Sequence, residues 1–214
     1  MSSVIEICNR AITEIGGYPI QALTEQTKEA QTCSLLYAPA RDEVLRAHPW
    51  NFATRRVTLA LLSETYTGWT YAYQYPTDCL LVREIYDATS VTPGNYGLTE
   101  QAIFENTRAV SYKPEFEVAA DSTLTSKVIL TEKENAVLIY TARVTDTNMF
   151  DPLFTRALAL RLAADLVTPM KGDPQMKQRL EEQSYRAIMQ AEADNANECQ
   201  KDPDNASTFV SARF

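Results

Sequence analysis

Apolar residues recur at intervals of three and four positions in four stretches of the chain, which is the spacing of helices that bury one face. The first predicted helix takes its N-cap from Ser2 or Ser3 and ends at Gly16-Gly17, because glycine readily adopts the left-handed conformation that follows many helices. The second predicted helix begins near Thr24 or Thr27. We therefore expect the chain to open with two helices.

The second helix is expected to stop at His48, because Pro49 donates no backbone hydrogen bond and disfavours helical geometry in the residue before it. Pro39, inside the same helix, predicts a kink or a short break. From Trp50 and Phe52 onward, apolar residues alternate with polar ones, which predicts a strand with one covered face. The two rings should fill the junction between a helical layer and a sheet layer.

From residue 52 to about residue 144, β-branched and aromatic residues dominate and turn signals recur, so we expect an antiparallel meander or a small sandwich. Residues 115–126 are expected to form a loop or a short helix. The predicted strands are Phe52–Leu61, Tyr71–Tyr75, Cys79–Asp87, Ala102–Glu105, Val110–Tyr112, Lys127–Leu130 and Ala136–Ala142.

Two further helices are predicted by the same opening, an aspartate followed by a proline, which supplies an N-cap acceptor and a residue suited to the first turn. The helix after Asp151-Pro152 has few polar interruptions, so it should be the most buried helix, and it should close at Thr168-Pro169. The helix after Asp173-Pro174 carries apolar residues on one face and fades near residues 195–197.

This order of elements predicts an α+β fold: a four-helix bundle with an inserted antiparallel β-sheet domain and an extended C-terminal tail. The expected boundaries are residues 1–50 and 146–198 for the helical bundle domain, 51–145 for the antiparallel β domain and 199–214 for the tail. The tail fits either a frayed terminus or a segment that orders against a partner. Its candidate anchor residues are Phe209, Val210, Arg213 and Phe214.

The composition, 45% hydrophobic and 22% charged, is that of a globular protein. A net charge of -8 argues against a nucleic-acid coat that neutralises phosphates, although DNA can pass an acidic wall without sticking to it. The four cysteines are scattered without CxxC spacing, so we expect reduced, structural thiols and a cytosolic origin. The N-terminus does not look like an export signal, and no stretch approaches the roughly 20 apolar residues of a membrane span.

Candidate catalytic residues are few. His48 is the sole histidine and stands before a proline, where a capping or packing role is expected. One histidine and scattered cysteines cannot form a conventional transition-metal site. Paired carboxylates could serve a glycosidase, but solvated surfaces explain them better, so we predict no catalytic residue, cofactor or metal. These pairs are Asp42/Glu43, Glu84/Asp87 and Glu181/Glu182.

Two surface patterns have more than one interpretation. A loose basic cluster is interleaved with acids, which favours ion pairs over a DNA contact; its members are Arg41, Arg46, Arg55 and Arg56. An aromatic-rich run alternates at spacing two, which favours a half-buried strand or a subunit contact over a sugar platform. Its members are Tyr66, Trp69, Tyr71, Tyr73 and Tyr75.

Several passages, in their order, resemble the tail tubular protein A family of short-tailed phages (podoviruses). They are NRAITEIGGYPIQALTE, LLYAPARDEVLRAHPWNFATRR, YAYQYPTDCLLVREIY and FDPLFTRALALRLAADLVTPM, followed by an acidic helix. The resemblance covers residues 5–193, and its motifs are patterns of fold and not of chemistry.

The resemblance implies a structural virion protein made in the host cytoplasm, a head-to-tail adaptor also called a connector or gatekeeper. Such proteins form a homo-oligomeric ring, twelvefold in the family, between the portal protein and the tail nozzle protein, and the viral DNA passes through the channel during ejection. Twelve copies would carry 12 × -8 = -96 charges, so an acidic channel would let DNA slide without specific binding.

In that setting, the tail anchored by Phe209, Val210, Arg213 and Phe214 becomes the candidate for portal docking. The resemblance implies neither enzymatic activity nor membrane contact. Two alternatives stay open at this point: a head-completion protein of another tailed phage type, and a tail-associated hydrolase of cell-wall or capsule glycans.

Overall fold

A computed structural model describes residues 3–87 and 115–198, with side chains as far as residue 192. The described residues have a mixed α+β fold of four α-helices and two three-stranded antiparallel sheets. The helices are α1 (Val4–Glu14), α2 (Lys28–Ala47), α3 (Pro152–Met170) and α4 (Pro174–Glu198). The strands are β1 (Thr54–Thr58), β2 (Tyr71–Gln74), β3 (Cys79–Asp87), β4 (Phe116–Ala120), β5 (Lys127–Thr131) and β6 (Ala136–Ala142).

The chain divides into two compact units. The helical unit consists of Met1–Phe52 and Asp146–Phe214, and the sheet unit consists of Ala53–Thr145. The sheet unit is therefore an insertion between the second and the third helix.

Helix α1 begins with a capping box. The Ser3 hydroxyl accepts a hydrogen bond from the Glu6 backbone at 3.1 Å, and the Glu6 carboxylate accepts one from the Ser3 backbone at 2.7 Å. After the helix, Gly16 has a φ of 66°, the left-handed conformation expected of a glycine that ends a helix. The Asn9 side chain then holds the returning chain through two hydrogen bonds to the Ile20 backbone, at 2.7 and 2.8 Å.

Helix α2 is capped by Thr27 and runs through Pro39 without a break as far as Ala47, where His48 turns extended. The chain does not enter a strand at Phe52 as the alternation suggested. Asn51–Ala53 form a turn of 3-10 helix, and β1 starts only at Thr54.

This difference has a local cause. The indole of Trp50 donates a hydrogen bond to the Val44 carbonyl at 2.8 Å, which folds the chain back onto the end of α2.

Helix α3 contacts all three of the other helices, whereas α1 and α2 touch each other only marginally. It has more buried residues than any other described helix, which confirms the prediction from its sequence. Asp151 caps it through a hydrogen bond from the Leu153 backbone at 2.7 Å. The helix continues through Pro169 to Met170, so the predicted closure at residues 168–169 is early by a residue or two.

The strand orders are β1-β6-β3 in one sheet and β2-β5-β4 in the other, with antiparallel pairing throughout. Because β1 and β3 both pair with β6, the strands are not a simple meander. The predicted strands at 79–87 and 136–142 are confirmed, whereas those at 102–105 and 110–112 lie outside the described residues.

The segment 115–126, predicted as a loop or a short helix, contains strand β4 and the turn that joins it to β5. The prediction missed strand β4, whereas residues 121–126 do form a loop, and one side chain fixes its conformation. The Asp121 carboxylate accepts hydrogen bonds from the Thr125 backbone at 2.9 Å and from the Ser126 hydroxyl at 2.7 Å. These bonds hold the pKa of Asp121 well below its usual range.

Candidate interaction surface

The four anchor residues predicted for portal docking, Phe209, Val210, Arg213 and Phe214, lie outside the described residues. Among the described residues, the helical unit carries exposed apolar and charged side chains that could contact a partner.

His48 belongs to an aromatic cluster at the end of α2 and the start of α3. Its ring lies edge-on to Trp50 with 4.9 Å between centroids, and Trp50 meets Phe154 edge-on at 5.0 Å. Phe52 and Phe150 complete the cluster, each within 6 Å of Phe154. His48 and Trp50 are both buried, so the histidine packs in the core as the sequence interpretation expected.

The paired carboxylates do not converge. Glu84 and Asp87 stand three residues apart on β3 in continuous register with β6, so their side chains point to opposite faces of the sheet. Asp42 pairs with Arg41 at 2.7 Å, and Glu182 lies 3.9 Å from Arg186. None of these pairs offers two carboxylates facing one gap.

The loose basic cluster resolves partly into ion pairs, as predicted. Arg41 pairs with Asp42 in the helical unit, and the Arg55 guanidinium lies 2.6 Å from Asp78 in the sheet unit. Tyr71 and Tyr73 of the aromatic run lie in strand β2, where Tyr73 is buried and donates a hydrogen bond to the Lys133 carbonyl at 2.8 Å. The strand interpretation is confirmed for these two residues, whereas Tyr66, Trp69 and Tyr75 lie outside the strand.

A polar groove lies between α1, α3 and α4 and was not predicted from the sequence. Its volume is about 400 Å³, and one arginine from each helix lines it: Arg10, Arg156 and Arg186. Leu160 and Ala187, both nearly buried, contribute apolar surface, and the remaining lining residues are Glu14, Gln183 and Gln190. We call this cleft the arginine groove.

The charges around the arginine groove are only partly compensated. Arg186 has Glu182 at 3.9 Å. Among the described residues, neither Arg10 nor Arg156 has a carboxylate within ion-pair distance. No signal in the sequence marks this groove, because its arginines come from distant positions and each looks like an ordinary exposed helix residue.

A second charged cluster, which we call the carboxylate flank, joins α2, α3 and α4 around Arg161. The Arg161 guanidinium lies 3.0 Å from Glu43, 3.3 Å from Asp165 and 3.8 Å from Glu181. Lys177 adds a longer contact of 3.9 Å to Glu181. Three carboxylates thus share two cations. Burial raises the pKa of Asp165, Arg161 opposes that shift, and the nearby Glu43 and Glu181 carboxylates add to it.

Large apolar side chains on the helices are also exposed to solvent. Leu35 of α2 is 72% exposed, Tyr185 of α4 is 64% exposed, and Met189, one turn after Tyr185, is 47% exposed. Such side chains are costly to leave in water when they are grouped, and grouped apolar surface marks interaction sites.

No helix in the described ranges, 3–87 and 115–198, has the length and hydrophobicity needed to span a membrane. Within those same ranges, histidine, cysteine, aspartate and glutamate side chains do not gather in a group that could hold a metal ion. The sequence matches no protein-family model, and no curated protein matches it.

Proposed function

We propose that this protein is the subunit of a ring-shaped head-to-tail adaptor in the tail of a phage virion, joining the portal protein to the tail nozzle protein. In this proposal twelve copies surround a channel through which the DNA passes without specific binding. The work of the protein is assembly and not catalysis. The four helices act as a four-helix bundle, and residues 199–214 act as an extended tail that docks on the portal.

The exposed apolar side chains of the helical unit are the observation that supports this proposal best. Leu35 and Tyr185 lie on helices whose other faces are well buried, so their exposure is not a sign of loose packing. Aromatic residues, methionine and arginine are enriched at subunit interfaces, and α4 exposes all three types in Tyr185, Met189 and Arg186. The order of the sequence features resembles that of the tail tubular protein A family. This resemblance is our basis for proposing that the ring is a head-to-tail adaptor.

Deletion of residues 204–214 tests the docking part of the proposal. We expect the shortened protein to keep its circular dichroism spectrum and melting temperature, because the helices and sheets of the described residues all end by Glu198. Binding to portal rings of the same virus, measured by co-sedimentation, should be lost. A full-length variant with Phe209→Ala and Phe214→Ala should show the same loss, while Ser207→Ala and Ser211→Ala should bind like the wild type.

Retained portal binding by the shortened protein would refute the docking role of the tail. The adaptor function itself has a separate test, electron microscopy of the wild-type protein mixed with portal rings, in which we expect a collar of added density. A protein that stays single beside the portal and clears a suspension of cell-wall material would instead be a glycan hydrolase.

A further inference from the structure

The arginine groove gathers three arginines from three helices of an acidic chain, which has 28 acidic and 20 basic residues. Glu14 is the acidic residue in its lining, and among the described residues Arg10 and Arg156 have no carboxylate within ion-pair distance. The planar guanidinium matches a carboxylate with two parallel hydrogen bonds, so a groove of this kind suits acidic side chains of a partner.

The groove and the carboxylate flank lie on opposite sides of the α3–α4 pair. In an α-helix each residue turns by about 100°, so a five-residue step turns by roughly 140°. That step separates Arg156 from Arg161 on α3, and it also separates Glu181 from Arg186 on α4. Both helices therefore direct a groove arginine to one side and a flank residue to the other.

The two sides are complementary in charge. The groove has three arginines against the carboxylates of Glu14 and Glu182. The flank has three carboxylates against Arg161 and Lys177. With three carboxylates against two cations, the flank keeps a net negative charge within one copy. A further cation supplied from outside would stabilise them.

Complementary patches on opposite sides of one molecule define a head-to-tail contact. Such a contact generates a closed ring when the rotation between neighbours divides a full circle. We infer that the arginine groove of one copy binds the Glu43 and Glu181 carboxylates on the flank of the next copy. This inference rests on the proposed adaptor function and identifies which faces of the subunit meet.

Charge reversal on each side tests the inference. The groove variant is Arg10→Glu with Arg156→Glu, two exposed residues whose change breaks no ion pair among the described residues. The flank variant is Glu43→Lys with Glu181→Lys. We expect each variant to raise the protein concentration at half-assembly by at least about tenfold, measured by sedimentation velocity alone and with portal rings.

Mixing the two variants gives the sharpest result. The groove variant keeps a normal flank and the flank variant keeps a normal groove, so one wild-type contact can form between them. At the other contact the reversed groove meets the reversed flank, and these two surfaces are again opposite in charge. The mixture should therefore recover assembly that neither variant shows alone, and a mixture without recovery would contradict the inference. Circular dichroism reports whether charge reversal unfolds the flank variant. If it does, Glu43→Gln with Glu181→Gln takes its place, because this milder change removes the two negative charges without adding positive ones.

The matched control for the groove variant is Lys28→Glu with Arg56→Glu. It changes the net charge by the same amount as the groove variant does, at exposed positions away from the groove. It should assemble like the wild type. A groove variant that assembles normally, or a control that fails equally, overturns the inference while the adaptor proposal stands. Wild-type protein that never assembles, even with portal rings, overturns the adaptor proposal and the inference together.

Discussion

Single side chains decide how the ends of the helices are built. Trp50 is the clearest case, since it is almost fully buried, donates a hydrogen bond to the Val44 carbonyl and packs edge-on against Phe154. A residue that fills a large volume and satisfies a buried carbonyl in one contact has no close substitute.

Replacing Trp50 with phenylalanine should lower the free energy of unfolding by about 2–4 kcal/mol, because the change leaves a cavity and an unsatisfied carbonyl. Urea unfolding followed by circular dichroism measures the loss. The matched control is Trp69→Phe at a half-buried position, where we expect a loss below about 1 kcal/mol. Equal losses in the two variants would contradict the central role of Trp50.

Asp165 should make the helical unit less stable as pH rises. Burial raises its pKa above the ordinary value of 3.8, so the ionised form costs more in the folded state than in the unfolded state. That cost is absent below the ordinary value and appears as pH rises through the raised one. We expect Asp165→Asn to be more stable than the wild type at pH 7 and equal to it near pH 3.

Urea unfolding at several pH values between 3 and 7 gives the comparison for Asp165. An asparagine variant that is less stable than the wild type at pH 7 would show that the 3.3 Å pair with Arg161 outweighs the cost of burial.

At the scale of elements, the sequence predicted the helices well because their apolar spacing and caps are local signals. Asp151 caps its helix as predicted, and the structure selects Ser3 over Ser2 and Thr27 over Thr24 from the pairs that the sequence offered. Strand β4 was missed because its burial is shallow and its alternation weak. The arginine groove could not be predicted, because a groove depends on how three helices pack and no local pattern records that packing.

Pro39 shows an element that tolerates a local conflict. The residue lies inside α2, where proline removes a hydrogen bond and strains the preceding turn. We expect Pro39→Ala to raise the free energy of unfolding by about 1–2 kcal/mol, after allowing for the greater freedom of the unfolded chain. Chemical denaturation measures the change, with Ala38→Gly as a control that should destabilise the same exposed stretch. A destabilised Pro39→Ala protein would mean that α2 is shaped around the proline.

At the scale of the whole molecule, the order of elements indicated an insertion, and the structure divides into a helical unit and a sheet unit. The separation follows from the character of the segments, since helical periodicity at both ends and alternation in the middle cannot share one layer. Identical copies meeting through the helical unit would leave the inserted unit free to contact a different neighbour. This assignment, with contacts between copies made by the helical unit and other contacts made by the sheet unit, is part of the adaptor proposal.

The position of α3 in the chain also has a consequence for biosynthesis. Helices α1 and α2 leave the ribosome before α3, yet they barely touch each other, and α3, against which both pack, is encoded only after the whole insertion. Their apolar faces stay uncovered while the 104 residues between Ala47 and Pro152 are translated. The nascent chain thus exposes apolar helix faces well before their packing partner is made, and a chaperone or rapid translation would protect them during that interval.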